Sequence, residues 1–313
     1  MKIVVVDHVF LEKEHVERLR ALGDLKVFGE PPKNEDELKE RIDSAEIVVV
    51  GWSHLTRDVI ASAKELRMIS IWATTCHYAD HEAAKERGIA VTHVPGYATE
   101  AVAEYAFALL LAAVRKLPIA DKHVRNGDFD WRPFSGVELQ GKTLGIIGTG
   151  AIGCRVGEIA RAFKMRVLGF DKYPNAKRAG EIGLTYVDLP TVLKESDVIS
   201  VHLTLTSETQ GMLGKEQIEA MKKGVVIVNT SQGKVFDETA LAAALKSGNI
   251  VAAGLDVFAE EPPAKDNPLF KLDNVVLSPH VGFNTVEAAR RCTDICIDNV
   301  AKFLKGQVQN SCY

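Results

Sequence analysis

Two groups of residues in this chain have the types and spacing that chemistry requires. The first is Gly148, Gly150 and Gly153, a G-x-G-x-x-G turn within KTLGIIGTGAIGCRVGEIARAFKMRVLGFD. A short apolar run at 144–147 leads into the turn, and a helical stretch at 152–163 follows it. A second apolar run at 167–170 then ends on Asp171. Glycine permits the tight turn and lets backbone N–H groups at the helix start, where Ala151 and Ile152 stand, approach a pyrophosphate. Asp171 lies 18 residues beyond Gly153, where a carboxylate accepts hydrogen bonds from ribose hydroxyls and repels a 2′-phosphate. Strand, turn, helix and acid together predict a dinucleotide site that prefers NAD(H) to NADP(H).

The second group is His280 with Glu261. They lie on two of three segments that each follow an apolar run: Asn229 to Gly233, Gly254 to Pro262, and Ser278 to Gly282. In a doubly wound sheet, ligand lies outside the carboxyl ends of the strands, so these segments offer their polar side chains on that side. A carboxylate on one imidazole nitrogen orients the ring and favours its charged form, which can protonate a carbonyl as hydride arrives. Taken singly, His280 reads as a structural histidine after a proline and Glu261 as a solvated loop acid.

The elements that must position these residues alternate from end to end. Strands are expected at 3–6, 47–50, 68–72 and 90–93, separated by helices such as 12–22, 35–42 and 81–87. After the glycine turn, strands are expected near 198–203, 225–229, 251–256 and 275–278. This order predicts an α/β protein with parallel sheets covered on both faces. Two long helices stand apart, 99–115 and 285–304. If each crosses between lobes, one lobe comprises about 1–98 plus the last residues, and the other roughly 99–285, with ligand in the cleft between them. The first of these helices, TEAVAEYAFALLLAAVR, is apolar almost all round and predicts burial between layers or against a second copy in a homodimer.

Three hundred and thirteen residues, 46% of them hydrophobic, suffice for two cored domains. A net charge of −4 gives no general attraction to nucleic acid or to an anionic membrane. No stretch approaches the roughly 20 apolar residues of a membrane span, and the start is too short an apolar run for a signal peptide, so a cytoplasmic location is expected. Five cysteines without compact spacing argue against a disulfide scaffold and fit a reducing compartment. Cys292 and Cys296 read as buried thiols on one helix face, and no metal site is expected.

Four stretches, GKTLGIIGTGAIG, NTSQGKVFDETALAAAL, AAGLDVFAEEPP and NVVLSPHVGFNT, resemble in order and spacing the motifs of the NAD-dependent D-isomer-specific 2-hydroxyacid dehydrogenases. The likeness extends upstream through GIAVTHVPGYATEAVAEYAFALLLAAVRK and covers nearly the whole chain. It implies two doubly wound domains: a Rossmann cofactor domain at 99–285, inserted into a flavodoxin-like substrate domain at 1–98 plus 286–313. It implies NAD as cofactor, a small-molecule substrate and a homodimer. It implies His280 as the acid/base, Glu261 as its partner, Asp256 as the residue holding the nicotinamide carboxamide, and Thr230 with its backbone beside that ring. His202 and Thr206 fall in a loop that lines the cofactor, with Thr204 in place of the usual proline.

Departures from the family pattern gather on the substrate side. Gln232 stands where the resemblance implies an arginine that binds carboxylate and carbonyl oxygen. An amide carries no charge and cannot form the bidentate fork, and losing such a pair in a dry cleft costs on the order of 2–5 kcal/mol. Lys234, Arg57 and Arg132 are candidates to replace the charge. In place of a glycine-rich carboxylate-binding loop the chain has Ala73-Thr-Thr-Cys-His-Tyr-Ala-Asp80, so Thr74, Thr75 and His77 join Gln232 as expected substrate contacts. Tyr105 and Trp52 also replace common family residues. Two readings remain open: an oxidoreductase acting on a 2-oxo or 2-hydroxy acid or an atypical analogue, and a catalytically weak, NAD(H)-responsive binding protein.

Overall fold

The computed structural model describes all residues 1–313, which fall into two compact units, Met1–Ala98 with Asn284–Tyr313, and Thr99–Phe283. In the first unit the chain runs β1 (Lys2–Val5), α1 (Lys13–Leu22), β2 (Asp24–Val27), α2 (Glu35–Ile42) and β3 (Ile47–Val50). It continues through α3 (Arg57–Ser62), β4 (Met68–Ile71), α4 (His81–Glu86) and β5 (Ala90–Thr92). All five strands are parallel in the order β2-β1-β3-β4-β5. Strands β3 and β4 are buried along their whole length, as the apolar run IVVV and the run MISI, apolar but for Ser70, require of strands covered on both faces.

The second unit contains α5 (Thr99–Val114), α6 (Leu117–Arg125), β6 (Thr143–Ile147), α7 (Ala151–Ala162), β7 (Arg166–Phe170), α8 (Ala176–Ile182) and β8 (Leu184–Tyr186). It then runs through α9 (Leu189–Glu195), β9 (Val198–Val201), α10 (Lys215–Glu219), β10 (Val225–Asn229), α11 (Glu238–Ser247), β11 (Ile250–Leu255) and β12 (Val275–Leu277). Its seven parallel strands follow the order β12-β11-β10-β9-β6-β7-β8. The last helix, α12 (Val286–Leu304), returns to the first unit, capped by the Thr285 hydroxyl on Ala288 N–H. There Trp72 Nε1 donates to Thr293 Oγ1 at 2.9 Å, and Asn299 Nδ2 to the carbonyl of His93.

Helix α5 corrects one expectation. Its apolar surface is not left for a second copy to cover. It lies on its own sheet, with Leu109, Leu110 and Phe107 buried, and Gly254 of β11 approaches so closely that a Cβ there would sit 2.7 Å from Leu109 Cβ. Apolar surface is exposed instead in the segment that follows, where Leu117 is 61%, Phe129 95% and Trp131 81% accessible.

The cysteines correct another. Cys76 and Cys312 form a disulfide with their Cα atoms 6.0 Å apart, although 236 residues separate them in sequence. The tail brings them together by running antiparallel along β5: Cys312 N–H donates to Val91 O, and His93 N–H to Asn310 O. The other three cysteines are buried thiols. No helix is long and apolar enough to cross a membrane.

Candidate active site

The chain order reverses direction across the second sheet between β6 and β9, and the glycine turn lies there. Gly148 has φ of +94°, and a Cβ on it would come within 2.5 Å of the carbonyl oxygen of His202. A Cβ on Gly153 would meet the carbonyl oxygen of Gly148 at 2.0 Å, so this glycine lets α7 start directly against the turn. Gly150, the N-cap of α7, is different: a Cβ there would meet nothing within 4 Å. Its empty side faces open space at a helix N-terminus, the cradle that a pyrophosphate needs. Two enclosed polar atoms on the residues that directly follow β9 and β10, His202 Nδ1 and Thr230 Oγ1, have no partner in the protein. Such orphans cost free energy unless a ligand or water pairs them, so these residues suit a dinucleotide.

Asp171 closes β7. Its Oδ2 accepts from Thr149 N–H at 2.6 Å and from the Thr149 hydroxyl, and its Oδ1 accepts from Tyr173 N–H. Lys172 is engaged with Glu208 at 2.6 Å and does not counter the aspartate's charge. His202 follows β9, its Nε2 2.8 Å from Ser200 Oγ, and enclosure of the ring pushes its pKa down to about 4. Thr206 is exposed and bonds Thr209.

The candidate pair of His280 and Glu261 sits beyond the ends of β11 and β12. His280 Nδ1 lies 2.7 Å from Glu261 Oε2, and Glu261 Oε1 accepts from Phe258 N–H. His280 has φ of +54°, an uncommon conformation for a residue with a side chain, and one that persists where surroundings over-determine it. The determinant is Asp256, which is buried. Its Oδ1 accepts from the Ser278 hydroxyl at 2.6 Å and from Val281 N–H at 2.9 Å, and its Oδ2 from Gly282 N–H at 2.7 Å. His280 N–H donates to Asp256 O at 2.8 Å. The aspartate that sequence reasoning gave to the cofactor therefore also clamps both sides of the histidine turn. An apolar groove of about 500 Å³ opens beside the pair, walled by Phe258, Pro262, Phe270 and Leu277.

Gln232 is set by Asn229, whose Nδ2 donates to Gln232 O at 2.9 Å while its Oδ1 accepts from Ser231 N–H and hydroxyl. Gly233 then passes so close to Phe258 that a Cβ would lie 2.0 Å from its carbonyl carbon. This contact brings the glutamine turn against the segment carrying Glu261. The Gln232 side chain makes no hydrogen bond within the protein. Neither arginine proposed to replace the missing charge is free: Arg57 pairs with Glu86 and Arg132 with Asp130. Lys234 is exposed and forms no ion pair.

In the first unit, Thr74, Thr75 and His77 lie on the loop between β4 and α4. Thr74 Oγ1 donates to Val94 O at 3.2 Å, and Thr75 is exposed. His77 lies against Tyr78, with ring centroids 4.3 Å apart, and His54 lies against both. Burial, then the neighbouring His54, pushes the pKa of His77 down. Sequence reasoning missed His54, which stands four residues beyond β3, because an isolated histidine carries no spacing signal.

Residues 107–282 match the family described as D-isomer specific 2-hydroxyacid dehydrogenase, NAD binding domain. Similar proteins include a D-3-phosphoglycerate dehydrogenase of Archaeoglobus fulgidus, 40% identical over 98% of this chain and 58% of that protein. A glyoxylate reductase of Korarchaeum cryptofilum is 40% identical over 89% of this chain and 86% of its own. Among solved structures, an acyclic imino acid reductase in complex with NADPH and D-Arg is 35% identical with a TM-score of 0.90, covering all of both chains. The chain belongs to the D-isomer specific 2-hydroxyacid dehydrogenase family. It spans 58% of the length of the D-3-phosphoglycerate dehydrogenases of Archaeoglobus fulgidus and Methanocaldococcus jannaschii.

Proposed function

We propose that the chain is an NAD(H)-dependent oxidoreductase that moves hydride to or from a small 2-oxo or 2-hydroxy acid, or an atypical analogue of one. The observation carrying this reading is the 2.7 Å His280–Glu261 pair at the strand ends of the sheet that carries the open glycine turn. When bound, the nicotinamide supplies or accepts the hydride. Glu261 engages Nδ1 of His280, leaving the other ring nitrogen to give a proton to the substrate oxygen in reduction or take it in oxidation. Asp256 holds the turn on which that imidazole rides. Gly148, Gly150, Ala151, Ile152 and Gly153 hold the pyrophosphate, with His202, Thr206, Thr230 and Asp256 along the rest of the dinucleotide. Asp171 takes the ribose hydroxyls and favours NAD over NADP. Gln232, Thr74, Thr75 and His77 contact the remainder of the substrate.

Gln232 favours a second reading of the same site. A protonated C=N carbon is already electrophilic and is repelled by a guanidinium, whereas a neutral amide oxygen can accept its N–H. The acyclic imino acid reductase, a full-length structural relative, bears a name that fits this chemistry. The test is wild type and Gln232→Arg assayed for NADH oxidation with glyoxylate, pyruvate and hydroxypyruvate, with and without methylamine. We expect Gln232→Arg to raise turnover of the simple 2-oxo acids about tenfold or more. Wild-type turnover that requires the amine supports the imine reading. Tight NADH binding with no turnover of any substrate leaves the NAD(H)-responsive binding protein.

The exposed Leu117, Phe129 and Trp131, carried on one stretch of chain, support a homodimer formed through this segment, since a second copy would take that apolar surface out of water. Light scattering is expected to give twice 34.2 kDa, and Trp131→Asp to lower it. A cytoplasmic location belongs to the same proposal and is tested by cell fractionation.

A further inference from the structure

The five cysteines divide sharply. Cys154, Cys292 and Cys296 are buried, and burial is the leading cause raising each thiol's pKa, Cys296 to about 12. Thiols that stay protonated and enclosed are poor nucleophiles in exchange reactions. Cys76 and Cys312 are both partly exposed and bonded to each other. Cys312 packs against the core of the first unit, but that packing does not depend on the bond. Cys76 is in the 73–80 loop, and Cys312 is in a tail already fixed by backbone bonds to Val91 and His93, by Asn310 Nδ2 on Asn299 and by the Tyr313 hydroxyl on Ile89 O. The tail therefore has its own attachments, and the bond acts on the loop.

The loop is anchored at both ends but not in its middle. Val94 N–H donates to Ala73 O, and His93 Nδ1 lies 2.7 Å from Thr74 O. At the far end, Leu55 N–H donates to Tyr78 O and Asp80 N–H to Leu55 O. Between these anchors the attachments are the bond from Cys76 to Cys312, the contact of His81 Nε2 with Cys76 O at 2.7 Å and the His77 ring against His54. Thr75 and His77 flank the bridged cysteine directly.

We propose that Cys76 and Cys312 are a redox-modification site that sets the order of the 74–78 loop and, through Thr75 and His77, the affinity for substrate. The effect on substrate rests on the functional reading above; the effect on the loop does not. In the oxidised protein the bond pins the loop. Two equivalents of a small thiol such as glutathione break the S–S bond, each cysteine sulfur taking one proton, and the reductant leaves as its own disulfide. Oxidised glutathione runs the exchange backwards, so no other electron carrier is required. Once released, the loop must be ordered afresh each time substrate binds, which weakens binding without touching the glycine turn.

The test equilibrates the intact protein in oxidised and reduced glutathione buffers and reads three quantities. Alkylation without denaturant, mapped by mass spectrometry, is expected to label Cys76 and Cys312 in the reduced protein and no cysteine in the oxidised one. Amide hydrogen exchange in a peptide spanning 74–78 is expected to quicken on reduction, while peptides spanning 148–153 do not change. The KM for the best substrate is expected to rise about fivefold on reduction, with kcat and NADH affinity within about twofold. Cys312→Ser is expected to behave as the reduced protein in both buffers. Labelling of both cysteines in the oxidised buffer, or unchanged exchange at 74–78 on reduction, overturns the proposal. If loop exchange responds but no substrate turns over, the functional reading fails and the redox site stands.

Discussion

At the carboxyl ends of β1 and β3, where the first sheet reverses its strand order, Asp7 fills the crevice with its own carboxylate. Its Oδ1 accepts from Gly51 N–H at 2.7 Å, and its Oδ2 accepts from Trp52 N–H at 2.9 Å and Ser53 N–H at 2.6 Å. At the corresponding place between β6 and β9, the second sheet presents Gly148 and Gly150, with open space where the Gly150 side chain would be. Both sheets make a strand-end crevice lined by backbone N–H groups, because parallel topology makes one wherever the order reverses. One crevice is satisfied from within by a buried acid, and the other waits for an anion from outside. Architecture alone does not say which sheet binds; the residue at the strand end does.

The largest expected effect breaks the first half of this comparison. Asp7→Ala removes the buried carboxylate that accepts from three N–H groups, that of Gly51 fully enclosed, and is expected to destabilise the protein by about 2–4 kcal/mol, read from urea unfolding, with NADH affinity at the second sheet unaltered in the folded fraction. A loss below 1 kcal/mol means that water satisfies those groups and the crevice is not plugged. Next, Gly150→Ala sharpens the second half. Its φ of −65° suits alanine and its Cβ meets no protein atom, so unfolding is expected to shift by less than about 0.5 kcal/mol. NADH affinity, by titration, is expected to fall about tenfold or more, since the methyl occupies the phosphate cradle. Gly153→Ala, whose Cβ meets backbone at 2.0 Å, is expected to reverse the emphasis and cost about 1–3 kcal/mol of stability.

A further effect is one of pH. His202 has a folded pKa near 4, below the ordinary histidine value, so the unfolded chain takes up a proton that the folded chain refuses. Its contribution is complete above about pH 6.5 and is lost as pH falls toward 4. Thermal melts across this window are expected to show a shallower slope in His202→Asn than in wild type, and equal slopes place the titration elsewhere.

Much of this arrangement is legible in the residues. The glycine turn, the strand-end segments and the long helices declare themselves through apolar runs and punctuation by glycine and proline, and the His280–Glu261 contact follows from both lying at strand ends of one sheet. The strands that escape notice are β2, mostly exposed with the mixed sequence DLKV, and the three-residue β8; neither has an apolar run for a pattern to show. The disulfide escapes because its partners meet only after the tail has paired with β5. Helix α5 misleads because an all-apolar helix looks the same whether a sheet or a second subunit covers it. Asp256 reads as a cofactor residue and Asp7 carries no signal, because what each carboxylate clamps depends on which N–H groups the folded loops turn toward it.

In the proposed reaction the imidazole of His280, held by Glu261, carries the substrate's proton. Rapid-mixing measurement of NADH oxidation in a single turnover, wild type against His280→Ala with the best 2-oxo or imine substrate, tests it directly. The account predicts a rate loss of about 10²- to 10⁴-fold with NADH affinity preserved. A variant within threefold of wild type would contradict it.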